Sequence, residues 1–226
     1  MKKRKLVNLL LLTLISISFT ACGSGSGGGS SASSASSDTR SDTITSIEPS
    51  FSLANKYTSG IVGKFIDSPV SGLDYSCDGE IKKTDSEGLF NCKATPINFS
   101  LGNLSLGSIK KLSADYLVFP QDILNQPRSA ALHPEVTKMA IVLQSLDSDG
   151  NPSNGIVIEQ NIVEQLNQEI LPDTDIHNIT LENLTSIIKI IIKNNPKSQL
   201  DLVAIQQAQD HLLSSISNTY ESPIQP

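Results

Sequence analysis

The stretch Leu146 to Ile156, LDSDGNPSNGI, carries carboxylates and side-chain amides at Asp147, Asp149, Asn151 and Asn154, at offsets 0, 2, 4 and 7. Calcium is bound by six to eight oxygen ligands, often at alternating positions of a tight loop. Asp147, Asp149 and Asn151 match the first three ligand positions of an EF-hand loop. The match then fails: Pro152 stands where that loop needs its glycine, Ile158 where it needs its glutamate, and Glu159 comes one residue late. A looser calcium loop, completed by backbone carbonyls and Asn154, is one reading. It would be structural, since a full oxygen shell leaves no open position for a substrate. The other reading is a polar turn. Asp and Asn side chains bond nearby backbone N–H groups and Gly accepts positive φ, which is what a helix end followed by two turns requires.

Little else in the chain has the spacing of a reactive site. The three histidines, His133, His177 and His211, show no metal-ligand spacing to another His, Cys or carboxylate cluster. No Gly-x-Ser-x-Gly elbow, His-Glu-x-x-His helix or phosphate loop is present. His133 stands beside Pro134 at a helix start, His177 falls in a connection, and His211 sits next to an apolar helical stripe. Asp122 and Arg128 are expected to pair structurally across a turn. The pattern predicts no catalytic residues and no enzyme.

Two periodicities must position these residues. From Ser59 to Val118 the chain alternates in short apolar runs: Ile61, Gly63, Phe65; then Leu73, Tyr75, Cys77; then Ile97, Phe99, Leu101. Turn residues interrupt them at Asp67 to Gly72, Asp85 to Gly88 and Gly102-Asn103. From His133 onward the period becomes helical. Val136, Met139, Ala140, Leu143 and Leu146 follow Pro134, which suits a first helical turn. Ile162, Val163, Leu166 and Ile170 mark a second helix. Thr180 to Lys193 predicts a third, whose wide isoleucine stripe calls for burial. A capping-box pattern at Ser198 to Asp201 predicts the start of a fourth, carrying Leu202, Ile205, Ala208, Leu212 and Ile216. The predicted fold class is α+β: a small antiparallel β-sandwich-like domain (59–118) followed by a four-helix α domain (119–226).

The first 58 residues are of another kind. Lys2, Lys3, Arg4 and Lys5 precede an apolar run from Leu6 to Ile17, the layout of a secretory signal over residues 1–21. The run is too short for a convincing membrane span, which needs about 20 apolar residues. Phe19, Thr20, Ala21 and Cys22 resemble the lipobox of bacterial lipoproteins, whose cysteine is acylated and becomes the mature N-terminus. That resemblance implies lipidation of Cys22, palmitate included. With Gly23 rather than Asp next, it also implies an outer-membrane address, facing the periplasm or displayed at the surface. Residues 22–58 are expected to form a disordered Gly/Ser-rich tether, since Gly23 to Ser37 has no apolar group large enough to offset ordering entropy. The 36 residues from Gly23 to Thr58 would span about 30–36 Å on average.

Composition narrows the partners. Without the first 21 residues the chain carries 13 Lys/Arg against 23 Asp/Glu, a formal net charge of −10. Neither nucleic acid nor an anionic lipid surface attracts such a chain. It has no Trp and only 4% aromatic residues, a poor basis for a carbohydrate-stacking platform. With Cys22 assigned to lipid, Cys77 and Cys92 remain as a pair in an oxidising compartment, and a disulfide between them is expected. Closing a loop of about 15 residues contributes about 3 kcal/mol by chain-entropy arithmetic.

Several segments together resemble a known arrangement. DSPVSGLDYSC, TDSEGLF and INFSLGNLSLG look like a β module that recurs in exported bacterial proteins. FPQDILNQPRSAALHPEVTKMAIVLQSLDSDGNPSNGI, with the later QQAQDHL, resembles the helical segment that follows it in uncharacterised bacterial surface lipoproteins. The resemblance covers most of Gly60 to Ile216 and implies a location and an architecture, but no activity. The expectation is a lipid-anchored, non-enzymatic binding or adhesion module of the envelope, its protein or surface ligand unspecified. A structural or accessory envelope protein is the alternative, and a hydrolase the more distant one. No cofactor is expected beyond a structural calcium.

Overall fold

The computed structural model describes residues 59–221. The signal segment, Cys22 and the tether therefore lie outside the described residues, as do the last five positions. Among the described residues no helix is long and apolar enough to cross a membrane.

The chain is mixed α+β, and most of its strands come first. Strands β1 (Ile61–Phe65), β5 (Leu89–Cys92) and β8 (Leu117–Val118) form one sheet in the order β5-β1-β8. A second sheet has the order β10-β7-β6-β3-β4, built from β3 (Asp74–Cys77), β4 (Glu80–Lys83), β6 (Ile97–Leu101), β7 (Leu104–Ile109) and β10 (Thr174–Asp175). A third, two-stranded sheet pairs β2 (Val70–Ser71) with β9 (Ile156–Val157). The period-2 reading of β6 holds residue by residue: Ile97, Phe99 and Leu101 are buried, Asn98 is exposed and Ser100 only half-buried. The Gly102-Asn103 turn joins β6 to β7 as an antiparallel hairpin. The turn at Asp85 to Gly88 acts differently. Its flanking strands β4 and β5 do not pair with each other; the chain passes there from one sheet to the other.

The two larger sheets meet through aromatic rings. Phe65 of β1 lies 5.5 Å from Phe99 of β6, and Phe90 of β5 lies 5.3 Å from the same ring. The disulfide between Cys77 of β3 and Cys92 of β5 spans the same gap, with Cα atoms 5.9 Å apart. It therefore links sheets rather than neighbouring strands of one sheet. The expectation of purely antiparallel pairing is corrected, since β1–β8, β7–β10 and β2–β9 are all parallel.

Five helices follow, α1 (Pro120–Ile123), α2 (Pro134–Ser145), α3 (Gln160–Glu169), α4 (Leu181–Asn194) and α5 (Ile205–Glu221). Pro134 takes the first helical position of α2, and His133 caps it by accepting the Glu135 N–H on Nδ1. Residues 136–145 of α2 are buried on every side, so α2 is a central helix rather than a surface one. Three of its polar side chains bond to other parts of the protein. Lys138 Nζ donates to the Ile179 carbonyl at 2.8 Å, Thr137 Oγ1 accepts from Gln209, and Ser145 Oγ accepts the Val203 N–H.

Two helical expectations are corrected. The fourth predicted helix starts at Ile205, not at the Ser198–Asp201 pattern. Residues 201–204 lie outside any helix, burying Val203 behind its bond to Ser145, while Ser198 Oγ turns back to the Asn195 carbonyl. On α4 the buried stripe is narrow. Leu184, Ile188 and Ile191 are buried, whereas Ile187 and Ile192 are only half-buried and Ile190 is 40% exposed.

One hydrophobic core runs through both segments, from Phe65 and Phe99 to Met139, Leu166, Ile188 and Leu212. The expected boundary at 118/119 falls inside it, between β8 and α1. Strands β9 and β10, from the helical part of the chain, complete sheets begun by β2 and β7. At the β2–β9 junction Gly72 has φ +84°, and a Cβ there would stand 2.3 Å from the Ile158 carbonyl oxygen.

Candidate functional site

The loop after α2 is held at both ends. Leu146 closes the helix by donating its N–H to the Val142 carbonyl, and Ser148 N–H bonds the Val157 carbonyl at 2.9 Å. Asp147 Oδ1 accepts the Val157 N–H, also at 2.9 Å, so this aspartate is pinned to β9. A turn closes from Gly150 N–H to the Asp147 carbonyl. Gly150 takes φ +67° there and approaches the Gln199 carbonyl so closely that a Cβ would stand 2.4 Å from it. Asp149 accepts the Asn151 N–H on Oδ1 and the Asn154 side-chain amide on Oδ2, at 2.9 and 2.8 Å. Pro152–Asn154 form a single 3₁₀ turn before β9. Asp147, Asp149 and Asn154 thus meet in one loop, and Asn151 joins it through its backbone N–H.

Asp147 is the exception to this satisfied arrangement. It is 1% exposed, and its Oδ2 has no hydrogen-bond partner. Burial pushes its carboxyl up to about 6, opposed by the Val157 N–H and reinforced by the Asp149 carboxylate beside it. Asp149, which is exposed, is shifted the other way, chiefly by the Asn154 amide and the Asn151 N–H. Two carboxylates therefore face each other, one of them dry. Among the described residues no three His, Cys, Asp or Glu side chains form a metal-holding group.

Beside the loop lies an open cleft of about 600 Å³, lined by Ser148, Glu159, Asn161, Asn194, Lys197 and Gln199 among others. Its lining is mostly amide, hydroxyl and charge. The loop contributes Ser148, and the end of α4 with the segment after it contributes residues 194–200, among them Asn195, which exchanges side-chain amide bonds with Gln165 at 2.8 and 3.2 Å.

The histidines take structural places, two of which the sequence does not announce. His177 Nδ1 lies 3.3 Å from Glu135 Oε2, and Lys138 Nζ is 2.8 Å from the same oxygen. This trio borders a second cleft of about 450 Å³ with Leu132, Leu181 and Ile205. His211 of α5 reaches the β1–β2 turn, where its Nε2 stands 2.9 Å from the Asp67 carbonyl oxygen and 3.1 Å from Ser68 Oγ. Ser68 has φ +68°, as the tight Ile66–Pro69 turn requires. A carbonyl only accepts, so Nε2 carries the proton and cannot take one from Ser68. Burial also holds His211 below the usual imidazole range, with the Asp67 carbonyl opposing. The contact is a latch between α5 and β1, not a serine–histidine base pair. The expected Asp122–Arg128 pair is present at 3.0 Å, and Arg128 also bonds Asp115, Tyr220 and the Leu117 carbonyl.

No protein-family model, curated protein or solved structure matches this chain.

Proposed function

We propose that the chain is a lipoprotein of a bacterial outer membrane, acylated at Cys22, whose folded unit is a non-enzymatic binding or adhesion module. One observation carries the reading: Phe19-Thr20-Ala21-Cys22 follows a basic and apolar leader and precedes a Gly/Ser tether in front of a disulfide-bridged unit. A multiply acylated cysteine holds a protein firmly, because each buried CH₂ contributes about 0.8 kcal/mol. The paired Cys77 and Cys92 suit an oxidising compartment. The two facing sheets form, on this reading, a sandwich-like unit bearing a helical cover. The polar cleft between the 147–154 loop and the turn after α4 is where a hydrogen-bonding ligand would sit. The engaged Nε2 of His211 favours binding over hydrolysis.

The test is metabolic labelling with tritiated palmitate in a bacterial host, for the whole chain and for Cys22→Ser. Label on the wild-type chain alone, with that chain in the outer-membrane fraction and Cys22→Ser released into the periplasm, is the expected result. An unlabelled wild-type chain would refute the anchor. Turnover of a substrate in a broad hydrolase screen would refute the non-enzymatic part.

A further inference from the structure

The dry carboxylate of Asp147 has no protein partner for one oxygen, and that oxygen belongs to the group facing Asp149 and the Asn151 N–H. A buried acceptor without a donor is costly, and here the neighbouring side chain is a second acceptor of the same charge. The Asp149 carboxylate and the Asn154 amide are engaged in turn bonds, so the turn explains the loop's shape but not this buried oxygen. A cation between the two carboxylates satisfies both.

We infer that Asp147 and Asp149, with oxygens of Asn151 and Asn154, hold a calcium ion at the end of α2. The donors are oxygens only, with no imidazole or thiolate among them, which disfavours zinc and suits a hard cation. Two carboxylates fall short of a full shell. Amide and backbone oxygens and water complete it, as calcium's flexible six- to eightfold geometry allows and magnesium's strict octahedron does not favour. Asn154 presents its amide to Asp149 at 2.8 Å, and turning that amide over offers its oxygen instead. With two carboxylates the affinity falls at the weak end of protein calcium sites, about 0.1–1 mM.

The ion's place in the fold gives it a task. Asp147 is bonded to β9, Ser148 lines the polar cleft, and Gly150 packs on the Gln199 carbonyl across that cleft's edge. A bound ion clamps the helix end to β9 and fixes one wall of the cleft. The inference is independent of membrane anchoring, and its test does not involve Cys22.

The experiment is thermal unfolding and equilibrium dialysis against radioactive calcium, using the whole chain in detergent micelles. The probes are calcium chloride, magnesium chloride and chelator. At about 10 mM calcium the expected rise in Tm is about 3–10 °C over chelator, with one calcium bound per chain. Asp149→Asn, at an exposed position, should remain folded in chelator and, measured against its own chelator Tm, lose both the rise and the bound calcium. Asp147→Asn should lose them as well; should it fail to fold, Asp149→Asn decides alone. No rise and no bound calcium, a rise that survives in Asp149→Asn, or an equal response to magnesium would each overturn the assignment.

Discussion

Gln144, near the end of α2, donates its side-chain amide to both carboxylate oxygens of Asp67, each at 3.1 Å, across 77 positions of sequence. The same amide nitrogen donates to the Ala208 carbonyl at 3.1 Å. One side chain of the central helix thus joins the β1–β2 turn to α5, and His211 closes the same junction from the α5 side. Asp67 is wholly buried, and this burial pushes its carboxyl well above the usual range, with the Gln144 bond only partly opposing.

That shift has a sign in solution. A carboxyl whose folded-state pKa is raised is stabilising when protonated, and its contribution is lost as pH rises from the unfolded value through the folded one, at about 1.4 kcal/mol per pH unit. Asp67→Asn removes the titration and leaves the other groups in place. The stability of Asp67→Asn relative to wild type should therefore increase from pH 4 to pH 8 in urea unfolding. A difference that stays flat across that range would show that Asp67 does not titrate in this way.

The disulfide joins two sheets around the Phe65, Phe90 and Phe99 rings. Replacing both cysteines, Cys77→Ala with Cys92→Ala, should destabilise the chain by about 3 kcal/mol. That corresponds to a Tm lower by about 6–12 °C. Thermal unfolding checks this, and reductant should lower the wild-type Tm while leaving the double variant unmoved.

Arg128 gathers Asp115, Asp122, the Leu117 carbonyl and Tyr220 of α5, and its guanidinium stacks 4.6 Å from the Phe119 ring centroid. A lysine keeps the charge but not the planar fork. Arg128→Lys is expected to cost about 1.5–3 kcal/mol, the size of lost charge-assisted bonds. Asp115→Asn combined with Arg128→Lys should cost less than the sum of the two single changes, a coupling that a double-mutant cycle measures.

Gly72 sits at the junction of β2 and β9 with no room for a methyl group. Gly72→Ala should destabilise by about 1–3 kcal/mol, from left-handed backbone strain and the clash with the Ile158 carbonyl. Hydrogen exchange at Ile156 and Ile158, whose N–H groups bond the Pro69 and Ser71 carbonyls, should accelerate first. Unchanged stability would mean that β9 is free to shift.

Local signals reached some of this in advance. The β6 alternation, Pro134 at the head of α2 and the α3 stripe are set by periods of 2 and 3.6 residues, which depend on nearest neighbours along the chain. The Cys77–Cys92 pairing was legible by elimination. The polar turn at 147–154 was readable from Asp, Asn and Gly alone, whereas the burial of Asp147, and with it the case for an ion, was not. That burial comes from β9, a two-residue strand whose pairing with β2 has no local signature. The false capping box at Ser198 shows the same limit. Its residues suit a helix start, but Val203 gains more by lying along α2 and bonding Ser145.

Sequence alone determined the kinds of element, the punctuation between them and the acidic character of the chain, because these follow from residue propensity, composition and short-range spacing. Only the tertiary structure decided that Gln144 meets Asp67, that His177 meets Glu135, and that His211 Nε2 is engaged by a carbonyl. Each joins residues about 40 to 145 positions apart, and such pairs are chosen by the packing of a continuous core rather than by anything the intervening residues specify.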